Sequence, residues 1–275
     1  MGKGKLAKFA DMETYENVFQ YPYSVVEHVP FEMKGHWHEQ YFKNENPIVL
    51  ELGCGKGEYT VELAKLYPQM NFIGVDIKGA RLWKGAKEAT EEKMGNVAFL
   101  RTRIEFIDAF FGPGEVSQIW LTFSDPQLRG SENARLTSPL FLQRYSHFLV
   151  PDGIVHLKTD SRFLYEYTQS VIRANRLEVL ASGVDIYNAP LVISSDAGGG
   201  VEKSLQDLDA VFEVQTFYET MFLKMGLPIT YLAFRLRRPD LLEDTPFAYP
   251  ENFDAAYWRE AEGPRRTFSH QPTKG

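Results

Sequence analysis

The chain has 275 residues and a formal net charge of −7, and 44% of its residues are hydrophobic. This length allows one sizeable core, and the composition excludes a largely disordered chain. A single cysteine, Cys54, excludes an internal disulfide and a multi-cysteine zinc site; we expect it to be a small buried side chain in a reducing compartment. No apolar run approaches the roughly 18 residues of a membrane span, so we expect a cytoplasmic protein without a membrane partner.

Residues 1–46 are basic at their start and rich in aromatic residues, and we predict an irregular arm or lid with a short helix. From residue 47 to residue 238, short apolar runs alternate with helical patterns, which defines the predicted main domain. A flexible loop or insertion is expected over 188–209, which contains the sequence SSDAGGG. Residues 239–275 are polar and rich in proline, and we predict a partly ordered extension.

The predicted strands of the main domain are 47–52, 71–76, 96–101, 118–123, 153–158 and 229–236. The predicted helices are 57–67, 79–94, 139–148, 162–173 and 216–225. Strands that alternate with helices of these lengths indicate a parallel sheet covered on both faces. We therefore predict the α/β class, as a doubly wound, mostly parallel sheet with helices on both faces.

A glycine-rich loop lies in the segment VLELGCGKGEYT, between the first predicted strand and the first predicted helix. Gly53, Gly55 and Gly57 allow a sharp turn and a close approach to a ligand. A dinucleotide site requires G-x-G-x-x-G, whereas here the third glycine comes one residue early and Glu58 follows it. S-adenosylmethionine carries an ammonium and a sulfonium, so the carboxylate of Glu51 favours this methyl donor. A tight turn without a ligand is the alternative.

Further acids follow other predicted strands. Asp76 ends the second strand, where a carboxylate accepts ribose hydroxyls in NAD and S-adenosylmethionine sites alike. Asp125 follows the fourth strand within FSDP, and Asp160 follows the fifth within KTD. Open α/β sheets bind ligands at the carboxyl ends of their strands, so we expect these acids near one site. For Asp125 alone, an Asx turn is the alternative.

With these motifs the sequence resembles the bacterial tRNA (guanine-N7-)-methyltransferase family, which has a Rossmann-like class I methyltransferase fold. The resemblance covers roughly 47–237 and rests on ELGCGKG, IGVD, NVAFL, FSDP, RLT, KTD and TFYE followed by GLPI. It implies that the cofactor is bound by Glu51, Gly53, Gly55, Gly57, Asp76 and Asp125. It implies that Asp125 is catalytic, at the junction of cofactor and substrate. It implies that the substrate is contacted by Arg129, Asp160, Thr216, Tyr218 and Glu219.

The implied reaction transfers a methyl group from S-adenosylmethionine to N7 of a guanine in tRNA. Guanine N7 has a free lone pair, so the enzyme needs no base to remove a proton, and orientation is its main task. The guanine becomes cationic as the methyl arrives, which nearby carboxylates stabilise. We expect Asp125, Asp160 and Glu219 to accept hydrogen bonds from the Watson–Crick edge of guanine.

The RNA backbone requires cations, and the basic cluster that is usual after Asp-Pro in the family is reduced here to Arg129 and Arg135. The other candidate cations are Lys3, Lys5, Lys8, Lys78, Arg81, Lys84 and Lys87. For the last four a solvated helix face is the favoured interpretation.

The alternatives for function are a methyltransferase for a small molecule or a protein, and a binding module without catalysis. The sequence is compatible with a monomer or a homodimer.

Overall fold

The computed structural model describes residues 3–194, 208–237 and 245–262. The strands in these ranges are β1 (Val18–Gln20), β2 (Ile48–Leu52), β3 (Asn71–Val75), β4 (Val97–Arg101), β5 (Val116–Thr122), β6 (Leu149–Thr159), β7 (Val179–Gly183), β8 (Val192–Ile193) and β9 (Thr230–Arg235). The α-helices are α1 (Lys3–Glu13), α2 (Tyr23–Val26), α3 (Glu58–Leu66), α4 (Gly79–Glu91), α5 (Pro139–Ser146), α6 (Arg162–Ala174), α7 (Leu208–Glu213), α8 (Phe217–Lys224) and α9 (Ala255–Glu262). No helix in the described ranges has the length and apolar character that crossing a membrane requires.

These strands form one sheet in the order β1-β4-β3-β2-β5-β6-β9-β7-β8. The pairs from β1 to β6 are parallel, whereas β9 runs antiparallel to both of its neighbours and β8 antiparallel to β7. The predicted α/β class with a mostly parallel sheet is therefore confirmed. The sequence prediction missed β1, β7 and β8. β1 and β8 have three and two residues, too few to show a periodicity, whereas β7 is as long as β2 and is identified as a strand by its pairing with β9.

Alternation along the strands divides the core into two layers, one on each face of the sheet. In β2, Leu50 and Leu52 belong to one apolar cluster, whereas Val49 belongs to the other. In β4, Leu100 and Phe99 are divided in the same way. All five side chains are buried, which is why the predicted strands read as continuous apolar runs.

The segment predicted as an arm or lid contributes to this core. Trp37 is 0% exposed, and its indole N–H donates to the carbonyl of Phe110. The carboxylate of Glu115 accepts the backbone N–H groups of Gly35, Trp37 and Gly112 at 2.7–2.9 Å. This carboxylate therefore ties the segment to the turn that precedes β5. A domain boundary at residue 46 stays a prediction.

The described part of the C-terminal extension folds back onto α6. The carboxylate of Glu262 accepts the N–H of Phe163 at 2.7 Å, in the first turn of α6, where helix N–H groups have no partner within the helix. Phe253 packs edge-on against Phe163 and Tyr167. The predicted flexible loop lies outside the described residues at 195–207, and the predicted tail does so at 239–244 and 263–275.

Candidate active site

A cavity of about 840 Å³ lies at the carboxyl ends of the central parallel strands. The predicted site residues that line it are Glu51, Gly53, Gly55, Asp76, Asp125, Asp160, Thr216 and Tyr218. They come from the ends of β2, β3, β5 and β6 and from the start of α8. Strand order reverses between β2 and β5, and this is the place where open α/β sheets form a ligand crevice.

Glu51 lies at the inner end of the cavity with only 3% of its surface exposed. The hydroxyl of Thr60 donates to one carboxylate oxygen at 2.5 Å, and that of Thr122 donates to the other at 2.6 Å. Burial raises the pKa of Glu51 to about 7, and the two hydroxyl hydrogen bonds oppose this shift. A cationic ligand group would therefore meet a carboxylate that is already oriented and poorly hydrated.

The glycine loop leaves open space on the cavity side. Gly53 and Gly55 have φ values of 82° and 59°, and a Cβ at Gly53 would meet nothing within 4 Å. Asp76 accepts the N–H of Gly55 at 2.9 Å and that of Lys78 at 2.7 Å, one on each carboxylate oxygen. A carboxylate has about four acceptor sites, so capacity remains for ligand hydroxyls.

Gly57 is a glycine for a different reason. Its φ is 72°, and a Cβ there would lie 2.5 Å from the ring of Phe99 and 3.3 Å from the Cα of Gly85. This glycine therefore allows α3 to pack against β4 and α4, and it does not line the cavity.

The prediction that Cys54 is a buried side chain is confirmed, since only 7% of its surface is exposed.

The turn that carries Asp125 has an unusual backbone. Phe123 and Gln127, on either side of Asp125, have φ values of 50° and 51°, a backbone conformation that residues other than glycine adopt at an energetic cost. The carboxylate of Asp125 accepts the N–H of Gln127 at 2.9 Å, as an Asx turn does. The Asx turn and the position beside the cavity therefore both occur, so they are not alternatives.

An aromatic wall lines the cavity next to Asp125; the sequence predicted Tyr218 as a site residue but not the other two rings. Its members are Phe123, Phe222 and Tyr218. Ring centroids are 5.9 Å apart between Phe123 and Phe222, and 6.5 Å apart between Tyr218 and Phe222. The signal available in the sequence was the helical spacing between Tyr218 and Phe222, which places both on one face of α8.

Glu219 does not line the cavity. It is 0% exposed, and its carboxylate lies 2.7 Å from the ammonium of Lys158, which is also fully buried. Burial lowers the pKa of Lys158, and the neighbouring carboxylate of Glu219 opposes this. The helix packs with this side chain inward, so the structure places Glu219 outside the lining of the cavity, and its contact with guanine stays a prediction.

The basic candidates of the loop after Pro126 differ from each other in the structure. Arg129 is exposed and lies outside the lining of the cavity. Arg135, which we expected at the RNA backbone, is only 3% exposed; its guanidinium lies over the rings of Phe163 and Tyr167 at 4.8 and 4.5 Å. Its Nε also donates to the carbonyl of Pro126 at 3.2 Å, which closes the loop. Stacking in a buried site, not phosphate binding, is what this arginine does here.

The candidate cations of α4 and its N-terminus also divide into two groups. Lys84 is 2.7 Å from Glu58, and Lys87 is 3.5 Å from Glu91. Lys78 and Arg81 instead line the cavity, both are exposed, and neither forms an ion pair with a described residue. The mouth of the cavity therefore carries two cations that remain available to an anionic partner.

The chain is similar in sequence to known methyltransferases. A family model described as "Putative methyltransferase" matches residues 45–191. The chain is 52% identical over 244 residues to the tRNA (guanine-N(7)-)-methyltransferase of Bacteroides thetaiotaomicron, covering 89% of this chain and 90% of that protein. The enzyme of the same name from Bacteroides fragilis is 53% identical over 247 residues, with 88% and 91% covered.

Among solved structures, the 16S rRNA methyltransferase KamB has a TM-score of 0.50 and 15% identity, covering 73% of this chain and 92% of that one. This likeness supports the fold and nothing further. The sequence relatives exceed by a wide margin the identity at which family membership is secure, and they extend over nearly the whole of both chains. The chain belongs to the tRNA (guanine-N(7)-)-methyltransferase family.

Proposed function

We propose that the protein transfers the methyl group of S-adenosylmethionine to N7 of a guanine in tRNA. The observation that carries this proposal is the single cavity that brings Glu51 and Asp76 together with Asp125 and Asp160 in a chain of this family. The first two acids come from β2 and β3, on the side of the glycine loop. The other two come from β5 and β6, on the side of the aromatic wall.

The residues on the side of the glycine loop fit S-adenosylmethionine. Glu51 would pair with the ammonium, and Asp76 would accept the ribose hydroxyls. Gly53 and Gly55 leave the space that the ligand requires, and Gly57 supports the loop by packing. Bound there, S-adenosylmethionine supplies a methyl group on a sulfonium ion, which the N7 lone pair can accept without prior loss of a proton.

The residues on the opposite side would orient the guanine. Asp125 lies at the junction, where we assign it the catalytic role of holding the base and stabilising the positive charge that develops on it. Asp160 and Thr216 would accept hydrogen bonds from the base, and the ring of Tyr218 offers it a stacking surface. An unstacked base is commonly held in this way between aromatic and polar groups.

The decisive experiment measures methyl transfer to bulk tRNA, followed by mapping of the modified base. We expect 7-methylguanosine from the wild type, and losses of at least about 100-fold in kcat/KM for Asp125→Ala and Asp160→Ala, since each removes a charge that faces the cationic base. Asp152→Ala is the control, because this acid is exposed near the start of β6 and does not line the cavity. Unmodified tRNA, with methyl transfer to a small molecule or a protein, would favour the alternative substrate classes.

Binding of the tRNA backbone is the second testable part. Lys78 and Arg81 are exposed cations that line the cavity without an ion pair to a described residue, and Arg129 is exposed on the loop after Pro126. Each phosphate contact that is lost should reduce the salt slope of tRNA binding by about one. We expect this for Lys78→Ala and Arg81→Ala but not for Lys87→Ala, whose ammonium is engaged by Glu91 and by the ring of Trp83. Equal slopes in all variants would contradict this assignment.

The proposal includes the cytoplasm as the compartment, in keeping with the single buried thiol of Cys54. A monomer and a homodimer are both compatible with it. Sedimentation of the purified protein distinguishes the two.

A further inference from the structure

A fully buried ion pair lies beside the cavity. The ammonium of Lys158 on β6 is 2.7 Å from Oε1 of Glu219 in the first turn of α8, and both side chains are 0% exposed. Taking two charges out of water carries a large desolvation cost, which the attraction between them offsets only when further hydrogen bonds satisfy both groups. A pair like this is weak evidence for stability, so its position deserves a functional explanation.

The surrounding contacts supply some of those further hydrogen bonds, all of them at the ammonium of Lys158 and at Oε1 of Glu219, whereas Oε2 of Glu219 is buried without a hydrogen-bond partner among the described residues. The Lys158 ammonium donates to the carbonyl of Val214 at 3.0 Å and lies 5.5 Å from the ring centroid of Tyr59. The hydroxyl of Tyr187 donates to Oε1 of Glu219 at 2.7 Å. The pair thus joins four separate segments: β6, α3, the chain after β7, and the chain that enters α8.

The same two residues lie next to the substrate side of the cavity. Asp160 comes two residues after Lys158, and Thr216 and Tyr218 closely precede Glu219 at the start of α8; all three of these neighbours line the cavity. The hydroxyl of Thr216 also accepts the N–H of Glu219 at 3.1 Å. The ion pair therefore sets the distance between the end of β6 and the start of α8, which are two walls of the cavity.

We infer that Glu219 is a positioning residue, which acts through Lys158 to hold Thr216 and Tyr218 opposite Asp160, and that it does not contact the base. This inference rests on the proposed function, since it assigns these walls to guanine. Glu219 has no exposed surface and does not line the cavity, and its Oε1 accepts hydrogen bonds from Lys158 and Tyr187, so we assign it to fixing the geometry of these walls.

The test is a double-mutant cycle on the full chain with Glu219→Gln, Lys158→Met and the combination of both. Misplacement of a catalytic wall lowers kcat more than it weakens binding. We expect kcat to fall at least about 30-fold in each single variant, with KM for tRNA and Kd for S-adenosylmethionine changed by less than about threefold. Because the two residues act as one unit, the double variant should be no slower than the slower single variant.

Two further variants guard against loss of folding. Tyr187→Phe removes one hydrogen bond from Glu219 and keeps the charges, so it should fold and show a smaller loss in kcat of the same kind. Glu178→Gln is the matched control, because Glu178 pairs with Arg235 at 2.9 Å and neither residue lines the cavity. Its kcat should stay within about twofold of the wild type. Thermal melting of every variant, with assays well below each Tm, separates misplacement from unfolding.

Substrate discrimination supplies the readout that a base contact would change. Inosine lacks the N2 amino group of guanosine. A carboxylate that accepts a hydrogen bond from this amino group would therefore make the enzyme prefer RNA with guanosine over RNA with inosine at the mapped position. We expect Glu219→Gln and Lys158→Met to leave the guanosine-to-inosine ratio of kcat/KM unchanged. Loss of that preference in Glu219→Gln alone, or additive losses in the double variant, would overturn the inference. Failure of the wild type to methylate guanine in tRNA would instead overturn the proposed function, and this inference with it.

Discussion

Glu51 is predicted to favour cofactor binding at the expense of the stability of the folded chain, and Glu51→Gln separates these two effects. Burial raises the pKa of this carboxyl from 4.5 to about 7. Between these pH values the folded protein holds a proton that the unfolded chain has lost, so the free energy of unfolding falls as the pH rises. This increase in the pKa corresponds to about 3 kcal/mol of unfolding free energy, and the folded protein has lost this contribution once the pH is above 7.

The amide of Glu51→Gln does not titrate, and the hydroxyls of Thr60 and Thr122 can rotate to accept from it or donate to it. Relative to the wild type, this variant should therefore gain about 2.5 kcal/mol of unfolding free energy between pH 5 and pH 8, measured with urea. Glu62→Gln, with its side chain 52% exposed on α3, is the control and should show no such gain.

The same substitution should weaken the binding of S-adenosylmethionine, because the ammonium loses its charged partner. If only the ionised form of Glu51 binds, the wild-type Kd should fall about 16-fold from pH 5.5 to pH 7, whereas the Kd of Glu51→Gln should stay flat. Calorimetry at several pH values measures both. A wild-type Kd that is independent of pH in this window, or a variant that gains no stability toward pH 8, would refute the reasoning.

Three other predictions concern buried polar and charged side chains. Glu115→Ala leaves three backbone N–H groups without their acceptor and should cost about 3 kcal/mol in urea unfolding; a loss under about 0.5 kcal/mol would contradict the tie between the N-terminal segment and the turn before β5. Burial lowers the pKa of His156 from 6.5 to about 3, so between these pH values the folded state binds fewer protons than the unfolded chain, and the free energy of unfolding falls as the pH falls from 6.5 to 3. The unfolding free energy of His156→Gln should therefore depend less steeply on pH in this range, and an unchanged dependence would argue against a neutral buried imidazole. Arg135→Met should lower kcat by opening the loop at Pro126 while leaving the salt slope of tRNA binding unchanged; a slope smaller by about one would show a phosphate contact instead.

The sequence was sufficient to predict the central architecture. Apolar runs at β2, β3, β4, β5 and β6, separated by helical patterns, indicated the parallel sheet before any contact was known. Each of these strands is buried on both faces, so the signal is local and strong. Of the three missed strands, β1 and β8 are short strands at the two edges of the sheet, and β7 lies between β8 and β9. Pairing with a neighbour, not local composition, makes them strands.

For the site, the positions of Glu51, Asp76, Asp125 and Asp160 followed from one rule, that residues after parallel strands meet at the same edge. The aromatic wall and the roles of Arg135 and Glu219 did not follow. A long polar side chain in a sequence is compatible with a surface contact or with a buried one. Which of these occurs depends on the elements that pack over it, and these come from distant parts of the chain.

The sequence by itself determined the sheet, the loop at Gly53 and Gly55, and the edge at which the acids gather, because periodicity and the ends of strands are properties of adjacent residues. Only the tertiary structure decided which charged groups reach the cavity. Lys158 and Glu219 meet in the interior because β6 and α8 pack together, and the desolvation of both charges is offset only by partners that the fold brings from elsewhere.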